Sequence, residues 1–201
     1  DASVLKTATT LIKETKNARE VFDAFLVVTS SLSYCVKTND TKTARRLLKL
    51  KPLVDNSVLK EVFDNKSLDF LLLLDDHGVK LTQSREIAVD VLKTVPSDKL
   101  SELKTNSWIY GVEGMIAAAM LSYQEHYDEI RTKCKPGPEV LDIAIMYDNH
   151  ELVERVNGRV PLSDRVKNDM KVMEAKNVIE LAHVTTFYKR YPRILEKQKT
   201  E

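Results

Sequence analysis

Residues 58–78 read Val58-Leu59-Lys60-Glu61-Val62-Phe63-Asp64-Asn65-Lys66-Ser67-Leu68-Asp69-Phe70-Leu71-Leu72-Leu73-Leu74-Asp75-Asp76-His77-Gly78. Val58, Leu59, Val62 and Phe63 recur at the spacing of one helix face. Asn65 and Ser67 interrupt that face, and Ser67 suits the N-cap of a second helix over residues 68–76. Gly78 suits the left-handed position that closes it. The stretch is therefore a helix, a tight turn and a helix. A second stretch repeats the plan with Ile143, Met146, Tyr147, Asp148, Asn149, His150, Glu151 and Leu152, and closes at Gly158. Each has an aromatic residue just before Asp-Asn, and each runs on into Leu81-Thr82 or Leu162-Ser163. A looser third copy holds Leu32, Tyr34, Cys35, Asn39 and Asp40, then Ala44, Leu47 and Leu48.

The rest of the chain keeps the helical period. Val4, Leu5, Ala8, Leu11 and Ile12 share one face. Val21, Phe22, Phe25, Val28, Leu32, Cys35 and Val36 form a longer stripe. Asp40 is placed to cap a helix over residues 41–50, which Pro52 must end. Ser84 precedes a helix with Ile87, Val91 and Leu92, and a short turn carries Leu100 and Leu103. The spacing from Trp108 through Met115 to Tyr127 predicts one long helix from Asn106 or Ser107 to about Lys133. Gly111 and Gly114 in its first turns imply a close contact with a neighbouring helix or a broken start. Lys135-Pro136-Gly137-Pro138 is the clearest breaker, and Pro138 fits the first position of a new helix. Further helices are expected over residues 151–156, around Val166, Met170 and Met173, and from Val178 to Phe187. No segment alternates in period two.

The fold class is therefore all-α, with ten to twelve short helices. A single helix pair cannot bury both its faces, so stacked pairs, an α-solenoid, are the favoured arrangement. An irregular helical bundle is the alternative. The expected division is a helical-repeat region over residues 1–134 and C-terminal hairpins over residues 135–201, packed on the same array.

Composition narrows the function. In 201 residues, 31 Lys and Arg nearly cancel 30 Asp and Glu, which gives no bulk attraction to nucleic acid or acidic membranes. The 43% of hydrophobic residues exceeds what a disordered chain carries. The apolar runs at residues 25–28, 71–74 and 115–121 fall far short of the roughly 20 residues of a membrane span. Cys35 and Cys134 form no CxxC pair, so neither a disulfide framework nor a zinc site is indicated, and a reducing intracellular compartment is expected. The chain opens on Asp1 rather than Met, as a processed protein or a piece of a longer one would.

Signatures of chemistry are missing. There is no Walker A loop, GxGxxG or GxSxG, and Glu125-His126 does not make HExxH. Asp75, Asp76 and His77 diverge by about 100° each on a helix and read as a solvated terminus, with His77 at the negative end of the helix dipole. His150-Glu151 opens a short helix, His183 reads as a half-buried core histidine, and Cys35 as a core residue. No cofactor, metal or catalytic residue is assigned. Two basic patches remain. Lys42, Arg45, Arg46 and Lys49, flanked by Lys37 and Lys51, fall opposite the Ala44/Leu47/Leu48 face. Lys189, Arg190 and Arg193 surround Tyr191. Cations with an aromatic residue suit phosphate contact and base stacking, and acidic protein partners use the same groups.

Ser30-Ser31-Leu32-Ser33-Tyr34-Cys35-Val36-Lys37-Thr38-Asn39-Asp40 with Ala44 and Leu47-Leu48 resembles the two-helix core of a pentatricopeptide or tetratricopeptide repeat. Asp75-Asp76-His77-Gly78-Val79-Lys80 is similar to the end of a pentatricopeptide unit, and Asn17-Ala18-Arg19-Glu20-Val21-Phe22-Asp23 to its second helix. Residues 141–153 resemble a degenerate ankyrin repeat. The register is irregular. The Pro of the pentatricopeptide exit is Leu81 here, and the ankyrin Thr-Pro-Leu-His is absent. The resemblance implies a non-catalytic module in an organellar RNA or ribosome-associated assembly. The phosphate contacts would be Lys42, Arg45, Arg46, Lys49, Lys189, Arg190 and Arg193, and the place mitochondrial, with cytoplasmic as the alternative. The other reading is a protein–protein scaffold on tetratricopeptide- or ankyrin-like helix pairs.

Overall fold

The computed structural model describes residues 18–50, 52, 54–147, 149–156, 160, 163 and 164. Every extended regular element among them is helical. The helices expected at residues 4–12 and after residue 163 lie outside the described residues, as do Asn17, Lys51 and Gly158. Two compact units divide the chain, Asp1–Thr82 with Lys93–Ser107, and Gln83–Leu92 with Trp108–Glu201.

The first unit contains α1 (Ala18–Thr38), α2 (Thr41–Leu48), α3 (Asn56–Asp64), α4 (Leu68–Asp76) and a 3₁₀ helix at Ser97–Glu102. Val28, Leu32, Cys35 and Val36 of α1 are all buried, at the expected one-face spacing. α1 packs on α2 and α3, and α2 packs on α4. First helix thus lies on first helix and second on second. The Ala44/Leu47/Leu48 face of α2 and the Phe70, Leu71 and Leu74 side chains of α4 are buried.

The second unit takes α5 (Arg85–Thr94) as far as Leu92, most of the 3₁₀ helix Ser107–Tyr110, α6 (Val112–Leu121), α7 (Gln124–Ile130), α8 (Pro138–Met146) and α9 (His150–Val156). α6 packs on α7 and α8, and α8 packs on α9. Six successive residues of α6, Gly114 to Ala119, are buried, so this helix is enclosed on all sides. Its Ala117-Ala118-Ala119 run suits that, because small side chains let neighbours approach closely.

The single long helix expected from residue 107 to 133 is three elements instead. Ile109 is the reason for the first break. A Cβ on Gly114 would stand 1.8 Å from the Ile109 carbonyl oxygen, so the 3₁₀ turn folds back onto α6 where only a glycine fits. Gly111 is the N-cap of α6, with extended backbone. The second break is Ser122, whose φ of 56° is left-handed.

Ser122 belongs to a set. The Tyr123 amide donates to the Ala118 carbonyl at 3.0 Å and the Ser122 amide to Ala119 at 3.4 Å. This nested pair is a Schellman turn. Asp40→Cys35 (2.9 Å) with Asn39→Val36 (3.2 Å) repeats it, as does Ser67→Val62 (2.9 Å) with Lys66→Phe63 (3.0 Å). Asn39 and Lys66 are left-handed like Ser122. Asn149→Ala144 at 2.8 Å makes the same six-to-one closure. In every case the closing residue (Asp40, Ser67, Tyr123 or Asn149) stands just before the next helix. Gly78, at φ 78°, ends α4 the same way, with Val79→Leu74 at 3.0 Å. The closures align Ser67 with Asn149. The Asp-Asn pairs at 64–65 and 148–149 are therefore not equivalent, because only backbone hydrogen bonds set the register of a turn.

The two cysteines differ as core and surface do. Cys35 is buried and burial pushes its thiol up, while Cys134 is only half-buried. A disulfide reagent at pH 8 is expected to titrate one fast thiol, Cys134, with Cys35 reacting on unfolding. Two equally fast thiols in the native protein would contradict this.

Candidate functional site

The first basic patch is built by α2. Asp40 starts it, accepting the Thr43 amide at 2.9 Å. Thr43, through its side chain and its amide, holds the Asp40 carboxyl below its ordinary range. Ala44, Leu47 and Leu48 turn inward, which leaves Lys42, Arg45, Arg46 and Lys49 exposed on the other side. None of the four forms an ion pair with a described residue. Arg45 and Arg46 lie in the last turn, where the helix dipole favours cations. Lys37 does not join this set, because it pairs with Glu61 of α3 at 3.0 Å. Lys189, Arg190 and Arg193 of the second patch, and His183, lie outside the described residues.

Asp75 is not part of a solvated terminus. It is 2% exposed. Its Oδ2 accepts the Lys104 amide at 2.7 Å and the Thr105 amide at 3.0 Å. Its Oδ1 accepts the Asn106 amide at 2.9 Å and the Asn106 Nδ2 at 2.8 Å. Thr105 Oγ1 donates to the Asp75 carbonyl at 2.7 Å. Asn106, also buried, passes the linkage on: its Nδ2 donates to the Val79 carbonyl and its Oδ1 accepts the Leu81 amide. One carboxylate and one carboxamide thus fasten two irregular segments together, a purely structural role. Asp76 is exposed, and His77 does sit at the helix end, its Nδ1 2.9 Å from the Leu73 carbonyl.

Asn149 does similar work in the second unit. It donates to the Ala119 carbonyl at 3.0 Å and accepts from Gln124 Nε2 at 2.9 Å and from the Leu152 amide at 3.2 Å. One buried side chain therefore joins the end of α6 and the starts of α7 and α9. The sequence signals neither role, because every partner but the Leu152 amide lies 25 to 31 residues away.

Among the described residues no group of three His, Cys, Asp or Glu is arranged to hold a metal ion. No helix among them is long and apolar enough to cross a membrane. His126 is half-buried, its ring centroid 5.2 Å from that of Tyr123. The strongest unassigned feature of the first unit is accordingly the solvent face of α2.

Searches of protein-family models, curated proteins and solved structures return no match to this chain.

Proposed function

We propose that this chain is a non-catalytic interaction module, a helix-hairpin array that docks a protein partner, with the solvent face of α2 receiving an acidic segment. The observation that carries the reading is the recurring hairpin. The same six-to-one closure joins helix to helix four times, and within the first unit successive hairpins pack like on like. Such stacking makes an extended lateral surface with no need for a pocket. The closing residues Asp40 and Ser67 are 27 residues apart, and Tyr123 and Asn149 are 26 apart. That recurrence is shorter than the about 34 residues of a tetratricopeptide unit or about 33 of an ankyrin unit. The reading is therefore a general helix-hairpin array rather than either family.

The four cations of α2, which form no ion pair with a described residue, also favour a second reading, single-stranded RNA. Tyr34, 65% exposed near the end of α1, supplies an aromatic ring for stacking. The two readings differ in salt dependence and in ligand. Fluorescent Asp/Glu-rich peptides and a fluorescent single-stranded RNA pool, each titrated at two salt concentrations, separate them. Four phosphate contacts on a single strand predict about a 50-fold loss of RNA affinity between 50 and 200 mM salt. Arg45→Glu/Arg46→Glu is expected to abolish binding of the acidic peptide. RNA binding with that steep slope, and no peptide binding, would replace the protein reading by the RNA one. No binding of either by the wild type would overturn both.

A further inference from the structure

The second unit holds a cleft of about 490 Å³ that no role above uses. That volume lies in the range of small-ligand sites, about 300–1,000 Å³. Tyr127, Pro136 and Val156 give it apolar walls, and Arg131, Lys135 and Arg155 line it with cations. Tyr127 and Val156 are buried, so their contribution is fixed by the core.

The cations are not equivalent. Arg155 is engaged at both terminal nitrogens, with Nη1 2.8 Å from Asp128 Oδ2 and Nη2 2.9 Å from Glu151 Oε1. Asp128 in turn forms an ion pair with Arg131, Oδ1 lying 3.1 Å from Nε. The terminal guanidinium nitrogens of Arg131 donate no hydrogen bond to a described residue and keep their donors for another acceptor. Lys135 forms no ion pair with a described residue. Lys133, the nearby cation, lies instead over the Tyr110 ring at 3.6 Å. Three lining cations against the carboxylates of Asp128 and Glu151 leave one positive charge. That balance matches a monoanion. A planar guanidinium end with free donors matches a carboxylate, which it binds in a forked, two-bond geometry. Asp128 Oδ1, beside Nε, makes an ion pair with that edge of the guanidinium and no hydrogen bond to it.

We propose that this cleft binds the carboxylate of an amphiphilic organic acid, with Arg131 and Lys135 taking the carboxylate and Tyr127, Pro136 and Val156 receiving the apolar stem. A free acid and the C-terminal carboxylate of a peptide share this chemistry. The site is independent of the α2 face, so its test stands whether or not α2 docks a partner.

The test is calorimetric titration of the full chain with 3-phenylpropionate and its neutral amide, and with acetyl-Gly-Gly-Phe as acid and as amide. Each acid is expected to bind at least about tenfold tighter than its amide. Arg131→Gln/Lys135→Gln is expected to remove that preference, while Arg45→Glu/Arg46→Glu leaves it intact. Both altered positions of the first variant are exposed, and an unchanged melting temperature checks that it folds. The peptide acid binding better assigns the site to peptide termini, and the free acid binding better assigns it to small acids. Equal affinity for acid and amide, an unchanged preference in the Arg131/Lys135 variant, or no binding of either acid at about 10 mM would each overturn the proposal.

Discussion

Asp75→Ala is expected to destabilise the protein by about 3–5 kcal/mol, as befits loss of a buried carboxylate that serves several donors. The carboxylate takes backbone amides from Lys104, Thr105 and Asn106 and the side-chain amide of Asn106. Truncation leaves Asn106 Nδ2 with the Val79 carbonyl, but the three backbone donors lose their acceptor. Such orphaned groups cost about 1–3 kcal/mol each when water cannot reach them. The lower total allows for partial solvation, since the Lys104 and Thr105 bonds are only part-buried. A chain of this size loses roughly 2–4 °C of melting temperature per kcal/mol, so a fall on the order of 10 °C is expected. Asp75→Asn is expected to lose most of the same stability, because its NH₂ faces amide donors. Asp76→Ala, at an exposed neighbour, should stay within about 0.5 kcal/mol of wild type. Thermal and urea melts of the three variants decide it. An Asp75→Ala protein as stable as the Asp76→Ala one would refute the fastening role.

Gly114→Ala is expected to destabilise by about 3 kcal/mol, at the upper end of overpacking costs. The sign is the informative part. Gly114 lies in the first turn of α6, and in an open helix Gly→Ala is worth roughly 1 kcal/mol of stabilisation. Here the added methyl meets the Ile109 carbonyl oxygen at 1.8 Å, and its carbonyl carbon at 2.9 Å. These are backbone atoms, so no rotamer change relieves the clash. Either the 3₁₀ turn at Ser107–Tyr110 or the start of α6 must move, and Ile109 and Tyr110 are buried. Gly111→Ala meets only the Trp108 carbonyl oxygen at 3.0 Å and is expected to cost less. Urea unfolding gives both values. A stabilised Gly114→Ala protein would show that the turn is not held against α6.

The amphipathic stripes were legible because burial follows helical period directly. Val28, Leu32, Cys35 and Val36 on α1, and Ala44, Leu47 and Leu48 on α2, lie where their spacing puts them. So do the left-handed Gly78, the starting Pro138 and the Ser84 side chain that accepts the Ile87 amide at 3.3 Å. The exposed face of α2 was legible for the same reason, since its cations lie opposite its apolar residues. The loss of Lys37 from that patch was not, because Glu61 is brought to it by the packing of α3 on α1.

The breaks at residues 107–123 escaped periodicity because apolar residues continue straight through them. Gly111 and Gly114 signalled a broken start as one alternative for the first; the close approach of Ile109 and the left-handed turn at Ser122 place the breaks. Asp75 and Asn149 look like ordinary surface polar residues at helix ends until their distant partners are in place. By itself, the sequence determined the helical class, most helix faces and the helix–turn–helix unit, since each depends on neighbours within a turn or two of the chain. Tertiary structure alone decided the buried roles of Asp75 and Asn149 and the Arg131/Lys135 cleft. Those depend on which backbone atoms and charges come together across 20 residues or more, and local periodicity carries no record of such meetings.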